Sequence, residues 1–195
     1  MTLSGIPFIF GILPLFLIVY FFLKPRFRIY ALLVFSIWFY AVNDPEQLKY
    51  MLAIIAGNYV LSLLIARNSQ LLRKFFLVLG LIGNVGILLF YKYLSFLCSV
   101  MNQIFGCKLS TEEHVSMVGL SFFTFTFISY LVDVYCQKID VPKNPVKFVD
   151  YILMFPKILM GPIVRYEEVS DAFSETKIRV DDLGIGAKRF MAGFA

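Results

Sequence analysis

Long apolar runs alternate with short polar and basic segments along this chain of 195 residues. A helix needs about 20 predominantly apolar residues to cross the hydrocarbon core of a bilayer, and several runs approach or exceed that length. Predicted membrane helices cover residues 1–23, 29–42, 48–66, 75–91 and 115–135, and a shorter apolar helix covers residues 94–105. The pattern predicts an all-α, polytopic helical membrane protein with about five to six membrane-embedded helices.

Residues 148–164 are apolar but do not fit a further crossing. A basic loop precedes them and Arg165 and other basic residues follow, so both ends are expected on one face of the membrane. Gly161-Pro162 supplies a break within the run. Irregular backbone at membrane depth is tolerated only where protein buries it or water reaches it. The segment therefore predicts a re-entrant or interfacial hairpin.

Composition agrees with a membrane location. The chain is 59% hydrophobic and only 16% charged, with a mean hydropathy of +0.79. These values lie outside the usual range for a soluble globular domain. The first run has no basic segment before it and no small-residue cleavage site before Lys24, so we interpret it as a retained span; a cleaved signal peptide is the competing interpretation.

The net charge of +5 arises between the apolar runs, so no nucleic acid partner is expected. Basic residues concentrate in the segments 24–28, 67–74 and 137–147, whereas the segments 43–49 and 92–114 hold few. Short loops rich in Lys and Arg stay on the cytoplasmic side. The sequence thus predicts a multi-pass protein of the cell (plasma or inner) membrane with its amino terminus outside.

Cysteine and histidine give no sign of a metal site or of a catalytic residue. Cys98, Cys107 and Cys136 form no CxxC or Cys/His cluster, and a Cys98–Cys107 disulfide is a minor alternative to ordinary small apolar side chains. The single histidine, His114, lies in a polar loop, where a side chain without a partner is solvated. We therefore expect no metal and no catalytic residue in this chain.

Polar residues inside the apolar runs are expected to serve packing first. Asn58 and Asn84 predict interhelical hydrogen bonds, and Gly80, Gly83 and Gly86 recur at a spacing that lets membrane helices approach closely. In residues 119–135 the hydroxyl side chains are expected to bond to backbone carbonyls. Lys157 is expected to snorkel to the interface.

Two stretches hold the most informative polar groups. Residues 119–135 read GLSFFTFTFISYLVDVY, and residues 155–166 read FPKILMGPIVRY. Ionisable groups at membrane depth are expensive and usually face a bundle interior or a watery cavity. Asp133 either lines such a path or pairs with Lys138 or Arg165 at the interface, and we favour the pairing.

These stretches resemble signatures of the membrane-bound O-acyltransferase family, in its alginate O-acetyltransferase-like branch. Residues 119–125 and 129–135 are similar to its G-I-S-F-F-T-F and S-Y-x-x-D-V-Y motifs, and residues 155–166 are similar to its F-P-x-x-x-x-G-P-I-x-R-Y motif. The positions that match as structural motif residues are Gly119, Phe122, Phe123, Tyr130, Pro156, Gly161, Pro162 and Tyr166. The resemblance covers nearly the whole chain.

The resemblance implies transfer of an acyl group, such as acetyl, from a cytoplasmic donor to a hydroxyl of an extracellular polysaccharide such as an alginate-like polymer. It implies acetyl-CoA or an acyl carrier as donor for the complete enzyme, the bilayer as environment, and other envelope-polymer modification proteins as partners. Candidate residues lining the substrate path are Ser121, Thr124, Asp133 and Arg165. Arg165 would either grip a donor phosphate or anchor the chain at the cytoplasmic face.

Members of the family keep their catalytic histidine in the second half, beyond the region matched here. The resemblance therefore implies that residues 1–195 are the amino-terminal portion of a single membrane-embedded acyltransferase domain, truncated before its catalytic half and inactive alone. Two other classes stay open. A transporter or flippase-like module would suit the broken segment and the buried polar groups, and a non-catalytic scaffold would suit a chain without a catalytic histidine.

Overall fold

The computed structural model describes residues 8–43, 45–105, 119–158, 164–170, 184–186, 188–189 and 192–193, and every regular element in these ranges is helical. The α-helices of four or more residues are α1 (Leu13–Phe22), α2 (Pro25–Asn43), α3 (Pro45–Arg67), α4 (Gln70–Leu88), α5 (Leu94–Phe105), α6 (Leu120–Tyr135), α7 (Pro145–Leu153), α8 (Phe155–Ile158) and α9 (Tyr166–Ser170). One π-helical turn, Phe8–Ile12, precedes α1, and another, Leu89–Tyr93, joins α4 to α5.

Three helical segments of the described chain are long and apolar enough to cross a membrane: Pro25–Asn43, Pro45–Arg67 and Gln70–Tyr93. Phe10–Phe22 and Leu120–Tyr135 are apolar but shorter. The prediction of a helical membrane protein is confirmed, and the number of five to six membrane-embedded helices stays a prediction.

The helical structure continues through two polar points of the chain. α3 passes through the Gly57-Asn58-Tyr59 triplet without a break, and the Asn58 side chain donates to the Ile54 carbonyl at 3.0 Å. At Lys92 a π-helical turn keeps the chain helical from α4 into α5. Residues 106–118, which include Cys107 and His114, lie outside the described residues.

α4 runs antiparallel to α6, and a cation lies at each end of this pair. Near the start of α4, Arg73 Nη2 donates to the Tyr135 carbonyl at 2.7 Å. After α4, Lys92 Nζ donates to Ser121 Oγ at 3.0 Å. The Arg73 contact satisfies one of the carbonyls that a helix leaves unpaired in its last turn.

α3 and α4 are joined by a reciprocal pair of amide side chains. Asn58 Nδ2 donates to Asn84 Oδ1 at 3.1 Å, and Asn84 Nδ2 donates to Asn58 Oδ1 at 2.7 Å. The second Asn84 proton goes to the Gly80 carbonyl of its own helix at 2.8 Å. The predicted interhelical hydrogen bonds are confirmed.

Gly80 occupies the closest approach of α4 to α6. A Cβ atom at this position would lie 2.7 Å from Leu131 Cδ1, whereas a Cβ at Gly83 or Gly86 would have nothing within 4 Å. Tight packing is therefore confirmed at Gly80 and wrong at Gly83 and Gly86. Three-residue spacing rotates successive residues by about 300° on a helix, so the three do not share one narrow contact line.

Successive antiparallel helices bring the basic segments to one end of the bundle, where α2 and α4 begin and α3 and α6 end; we call this the basic end. Its cationic residues are Lys24, Arg26, Arg28, Arg67, Arg73, Lys74, Lys138, Lys143 and Lys147. The arrangement agrees with the predicted grouping of the loops.

The chain then enters the bundle and returns. α7 begins at the basic end, and Phe155, which follows it, contacts Ser36 near the middle of α2. Tyr166 lies beside Tyr130 in the last turns of α6, with ring centroids 5.5 Å apart, so the chain has come back toward the basic end. Residues 159–163, which include Gly161-Pro162, lie outside the described residues. We call residues 145–158 and 164–170 together the hairpin.

Replacing Gly80 and Gly83 separately tests this packing. We expect Gly80→Ala to destabilise the protein by about 1–3 kcal/mol, because the new methyl group overpacks fully buried Leu131. Gly83→Ala should leave stability unchanged or raise it by about 1 kcal/mol, because alanine favours the helix and the space is open. Thermal unfolding in detergent micelles measures both. A lower melting temperature for Gly83→Ala than for Gly80→Ala would contradict the packing.

Candidate functional site

Five aromatic rings bring the hairpin, α3 and α6 together near the basic end. Tyr130 packs against Phe148 at 4.7 Å and against Tyr166 at 5.5 Å between ring centroids. Tyr151 and Tyr166 make an edge contact at 5.1 Å, and Tyr59 packs on Phe148 at 5.5 Å. We call these five residues the aromatic cluster. The cluster brings the stretches 119–135 and 155–166, which are separate in sequence, into direct contact.

Two hydroxyls of the cluster hold irregular backbone. Tyr59 Oη donates to the Pro142 carbonyl at 2.9 Å and ties the loop after α6 to α3. Tyr151 Oη donates to the Val164 carbonyl at 2.9 Å and ties the entering limb of the hairpin to its returning limb. Both carbonyls lie outside regular helices, so they need donor partners of this kind.

Ser36 of α2 provides a hydrogen-bond partner for the backbone at the break between α7 and α8. Met154 leaves the helical conformation, so the Phe155 amide has no helical acceptor; it donates to Ser36 Oγ at 3.2 Å instead. The Phe155 ring packs among aromatic side chains, with its centroid 5.0 Å from that of Phe35 and 5.5 Å from that of Phe16. The deepest described point of the hairpin is thereby fixed against α1 and α2.

Lys157 does not snorkel, and that prediction is wrong. Its Nζ donates to the Tyr151 carbonyl at 3.0 Å and lies 3.9 Å from the centroid of the Tyr151 ring. The ammonium thus satisfies a carbonyl at the C-terminal end of α7, where a cation is favourable. Burial lowers the pKa of Lys157 to about 8.

Asp150 is fully buried on α7, on the element that packs along α2. Neither carboxylate oxygen has a hydrogen-bond partner in the described part of the chain. Because burial disfavours the charged form, it raises the pKa of Asp150 to about 8. Asp150 is therefore largely protonated at neutral pH.

The predicted path-lining residues lie at two separate levels. Ser121 and Thr124 are near the start of α6, and Asp133 is near its end, about 18 Å from Ser121 and about 14 Å from Thr124 along the axis at 1.5 Å per residue. Thr124 Oγ1 donates to the Leu120 carbonyl at 2.8 Å, as predicted for hydroxyls in this helix. These residues do not form one compact site, and their role in lining a path stays a prediction.

Asp133 is buried but does not form the expected ion pair. No salt bridge joins it to Lys138 or to Arg165, although its backbone carbonyl accepts from the Lys138 amide at 3.0 Å. Arg165 is exposed. The alternative role of Asp133, lining a path, stays a prediction.

Several of the motif residues have a structural role in the described part of the chain. Gly119 has a φ of 74° at the start of α6, a left-handed conformation that costs other residues about 1–2 kcal/mol. Phe123, Tyr130 and Tyr166 are buried, whereas Phe122 is 40% exposed. Pro156 lies in α8. Gly161 and Pro162 lie outside the described residues.

Sequence reasoning missed Asp150, Tyr151 and Arg73 as residues that shape this region. A carboxylate within the apolar run of residues 148–155 was a usable signal for Asp150, because an acid in such a run needs a partner or a proton. Nothing local in the sequence indicates that Arg73 reaches the end of α6. That contact depends on helix packing.

Asp150 makes stability depend on pH. Its folded pKa lies above the unfolded value of 3.8, so the folded state holds the proton more tightly and stability falls as pH rises from about 4 to 8, by up to about 1.4 kcal/mol per pH unit. We expect Asp150→Asn to flatten this decline, whereas Glu167→Gln, at an exposed carboxylate, should leave it unchanged. Melting temperatures in micelles between pH 5 and 8 measure the slope. Parallel curves for the wild-type and Asp150→Asn proteins would contradict the assignment.

Comparison with known proteins finds similarity along the chain to proteins named as O-acetylases or O-acetyltransferases. It is 32% identical over 200 residues to a protein of Pseudomonas aeruginosa named "Probable alginate O-acetylase AlgI", with 100% of this chain and 38% of that protein covered. The protein of the same name from Azotobacter vinelandii is 32% identical, with 100% of this chain and 40% of that protein covered. The "Peptidoglycan O-acetyltransferase" of Helicobacter pylori is 32% identical over 86% of this chain and 38% of its own length.

The chain spans about two fifths of the length of the curated relatives it matches. No family model and no solved structure matches it. The similarity nevertheless includes the stretches that contain both motifs, and the structure joins these stretches through the aromatic cluster. The chain belongs to the membrane-bound O-acyltransferase family, in the alginate O-acetylase-like branch.

Proposed function

We propose that this chain forms the amino-terminal membrane-embedded part of an O-acetyltransferase that moves acetyl from a cytoplasmic donor to hydroxyls of an extracellular polysaccharide. The observation that supports this most directly is the similarity over the full chain to two proteins named as alginate O-acetylases. The donor is acetyl-CoA or an acyl carrier, and the acceptor is an alginate-like polymer. Other envelope-polymer modification proteins are the partners.

In this proposal the basic end faces the cytoplasm, because basic loops are retained on that side. The hairpin enters the membrane from the cytoplasmic face and returns to it, and the amino terminus lies outside. In the described residues of the hairpin, Ser36, Lys157 and Tyr151 each pair with a backbone group, which supports a position at that depth.

The chemistry assigns different roles to the two parts of the enzyme. Removal of the acceptor's proton requires a general base with a pKa near neutrality, and histidine suits that role. We propose that the remainder of the enzyme supplies this histidine. Residues of this chain would line the path along α6, with Ser121 and Thr124 at the outer level and Asp133 at the cytoplasmic level. Arg165, exposed beside Tyr166, is available to a donor phosphate.

The topology is tested by cysteine accessibility in a variant whose three native cysteines are replaced by serine. Single cysteines are introduced at the exposed positions Lys143, Glu167 and Lys49. We expect a membrane-impermeant maleimide to label position 49 in intact cells, and positions 143 and 167 only after permeabilisation. Labelling of positions 143 and 167 from opposite faces would exclude a hairpin. The opposite labelling pattern at all three positions would show that the chain has the opposite orientation.

The activity is tested by replacing the matching region of the Pseudomonas aeruginosa relative with this chain, in cells that lack their own copy. We expect the chimaera to restore acetyl esters on alginate, measured by a colorimetric ester assay, because this chain is similar to that relative over its full length. This chain expressed alone should give none, since the proposed general base lies elsewhere. Fluorescence-detected size exclusion controls for folding of the chimaera.

A folded chimaera that leaves the polymer unacetylated would contradict the proposed function. Acetylation by the isolated chain would show that this chain contains the catalytic base, which would contradict the division of roles between the two parts.

A further inference from the structure

A polar cavity of about 470 Å³ lies at the basic end, between the loop after α6, the start of α7, and α9. Its size falls within the range of about 300–1,000 Å³ that is usual for small-molecule sites. The lining residues are Lys138, Ile139, Asp140, Pro142, Lys143, Asn144, Lys147, Tyr166, Glu167 and Ser170. The walls belong to two distant parts of the sequence, so the cavity exists only when the returning limb of the hairpin is in place.

Cations predominate on the cavity wall. Lys138, Lys143 and Lys147 supply three ammonium groups against the carboxylates of Asp140 and Glu167. None of these five groups forms a salt bridge with another residue of the described chain. The ammonium groups are therefore available to a ligand, and the hydroxyls of the aromatic and serine side chains on the opposite wall add neutral hydrogen-bonding groups.

The backbone presents these lysines from rigid positions. Lys138 follows Gln137, which has a left-handed φ of 57°, and the Lys138 and Gln137 amides bond back to the Asp133 and Val134 carbonyls at 3.0 and 3.1 Å. This closing arrangement fixes the direction in which the chain leaves α6. On the facing side, Asn144 Oδ1 accepts from the Val146 amide at 3.0 Å and fixes the start of α7.

We propose that this cavity binds a phosphate ester. Three ammonium donors around one recess suit a compact anion with several acceptor oxygens. The two carboxylates reduce the excess positive charge on the wall to one unit, which favours a single phosphate group over a polyanion. The phosphate can come from the headgroup of an anionic lipid or from a soluble organic phosphate. The proposal does not depend on acetyl transfer, because binding is measured without turnover.

The test uses the whole chain in a neutral detergent and two probes, dioleoyl phosphatidylglycerol and glycerol 3-phosphate, with binding followed by native mass spectrometry and calorimetry. We expect saturable binding that weakens with added salt. The double variant Lys138→Gln/Lys143→Gln should weaken it about tenfold or more, a loss of about 1.4 kcal/mol. The matched double variant Lys24→Gln/Lys74→Gln removes two exposed lysines from the same end and should change it less than about twofold.

A gain-of-binding variant separates a charge effect from loss of structure. Asp140→Asn removes a wall carboxylate and should strengthen binding severalfold. Binding of phosphatidylglycerol alone would identify the lipid headgroup as the source, and binding of glycerol 3-phosphate would identify a soluble ester. Failure of both probes to bind, equal losses in the two double variants, or weaker binding in Asp140→Asn would overturn the proposal.

Discussion

Every polar group inside this bundle needs a partner from the protein, because hydrocarbon offers none. The Asn58–Asn84 pair shows the constraint most clearly, since each amide donates to the other and one further proton on each goes to its own helix. Mutual pairing sets the register of α3 against α4. Once that register is set, Gly80 faces Leu131 and α6 can approach.

The hairpin extends the same constraint to irregular backbone. In its described residues, three backbone groups meet a side chain from another element or another turn: Ser36 at the helix break, Lys157 at the end of α7 and Tyr151 across the two limbs. The Asp150 carboxylate has no hydrogen-bond partner in the described chain, as is also true of the Gln47 side-chain oxygen, and burial raises the pKa of Asp150. A carboxyl without a donor avoids the cost of buried charge by keeping its proton.

Much of the fold follows from the sequence because its main signals are local. Apolar length predicts α2, α3 and α4, asparagine in an apolar helix predicts an interhelical bond, and a basic flank on both sides predicts the return of the hairpin. Predictions failed where the outcome depends on neighbours. Gly83 has the same local pattern as Gly80 but faces open space, and Lys157 has the sequence of a snorkelling lysine but lies beside a carbonyl that needs a donor.

The candidate site was predicted less completely than the fold for the same reason. Motif similarity identified Tyr130 and Tyr166, yet their ring contact and the participation of Tyr59 and Tyr151 depend on how α3 and α7 pack. The expected pairing of Asp133 with a cation also failed, because an acid and a base close in sequence are not thereby oriented toward each other. The charge pattern identified the end of the bundle at which Asp133 lies, but it did not identify a partner for Asp133.

The π-helical turn between α4 and α5 has a mechanical consequence. With no loop at Lys92, the chain is helical from Gln70 to Phe105, which is roughly 50 Å of helix at 1.5 Å per residue. A hydrocarbon layer of about 30 Å cannot contain that length upright, so the rod must lean steeply or emerge from the leaflet. A change in bilayer thickness would therefore change the tilt of α4. Because α4 contacts α6 at Gly80, it would also change how α6 packs on α4.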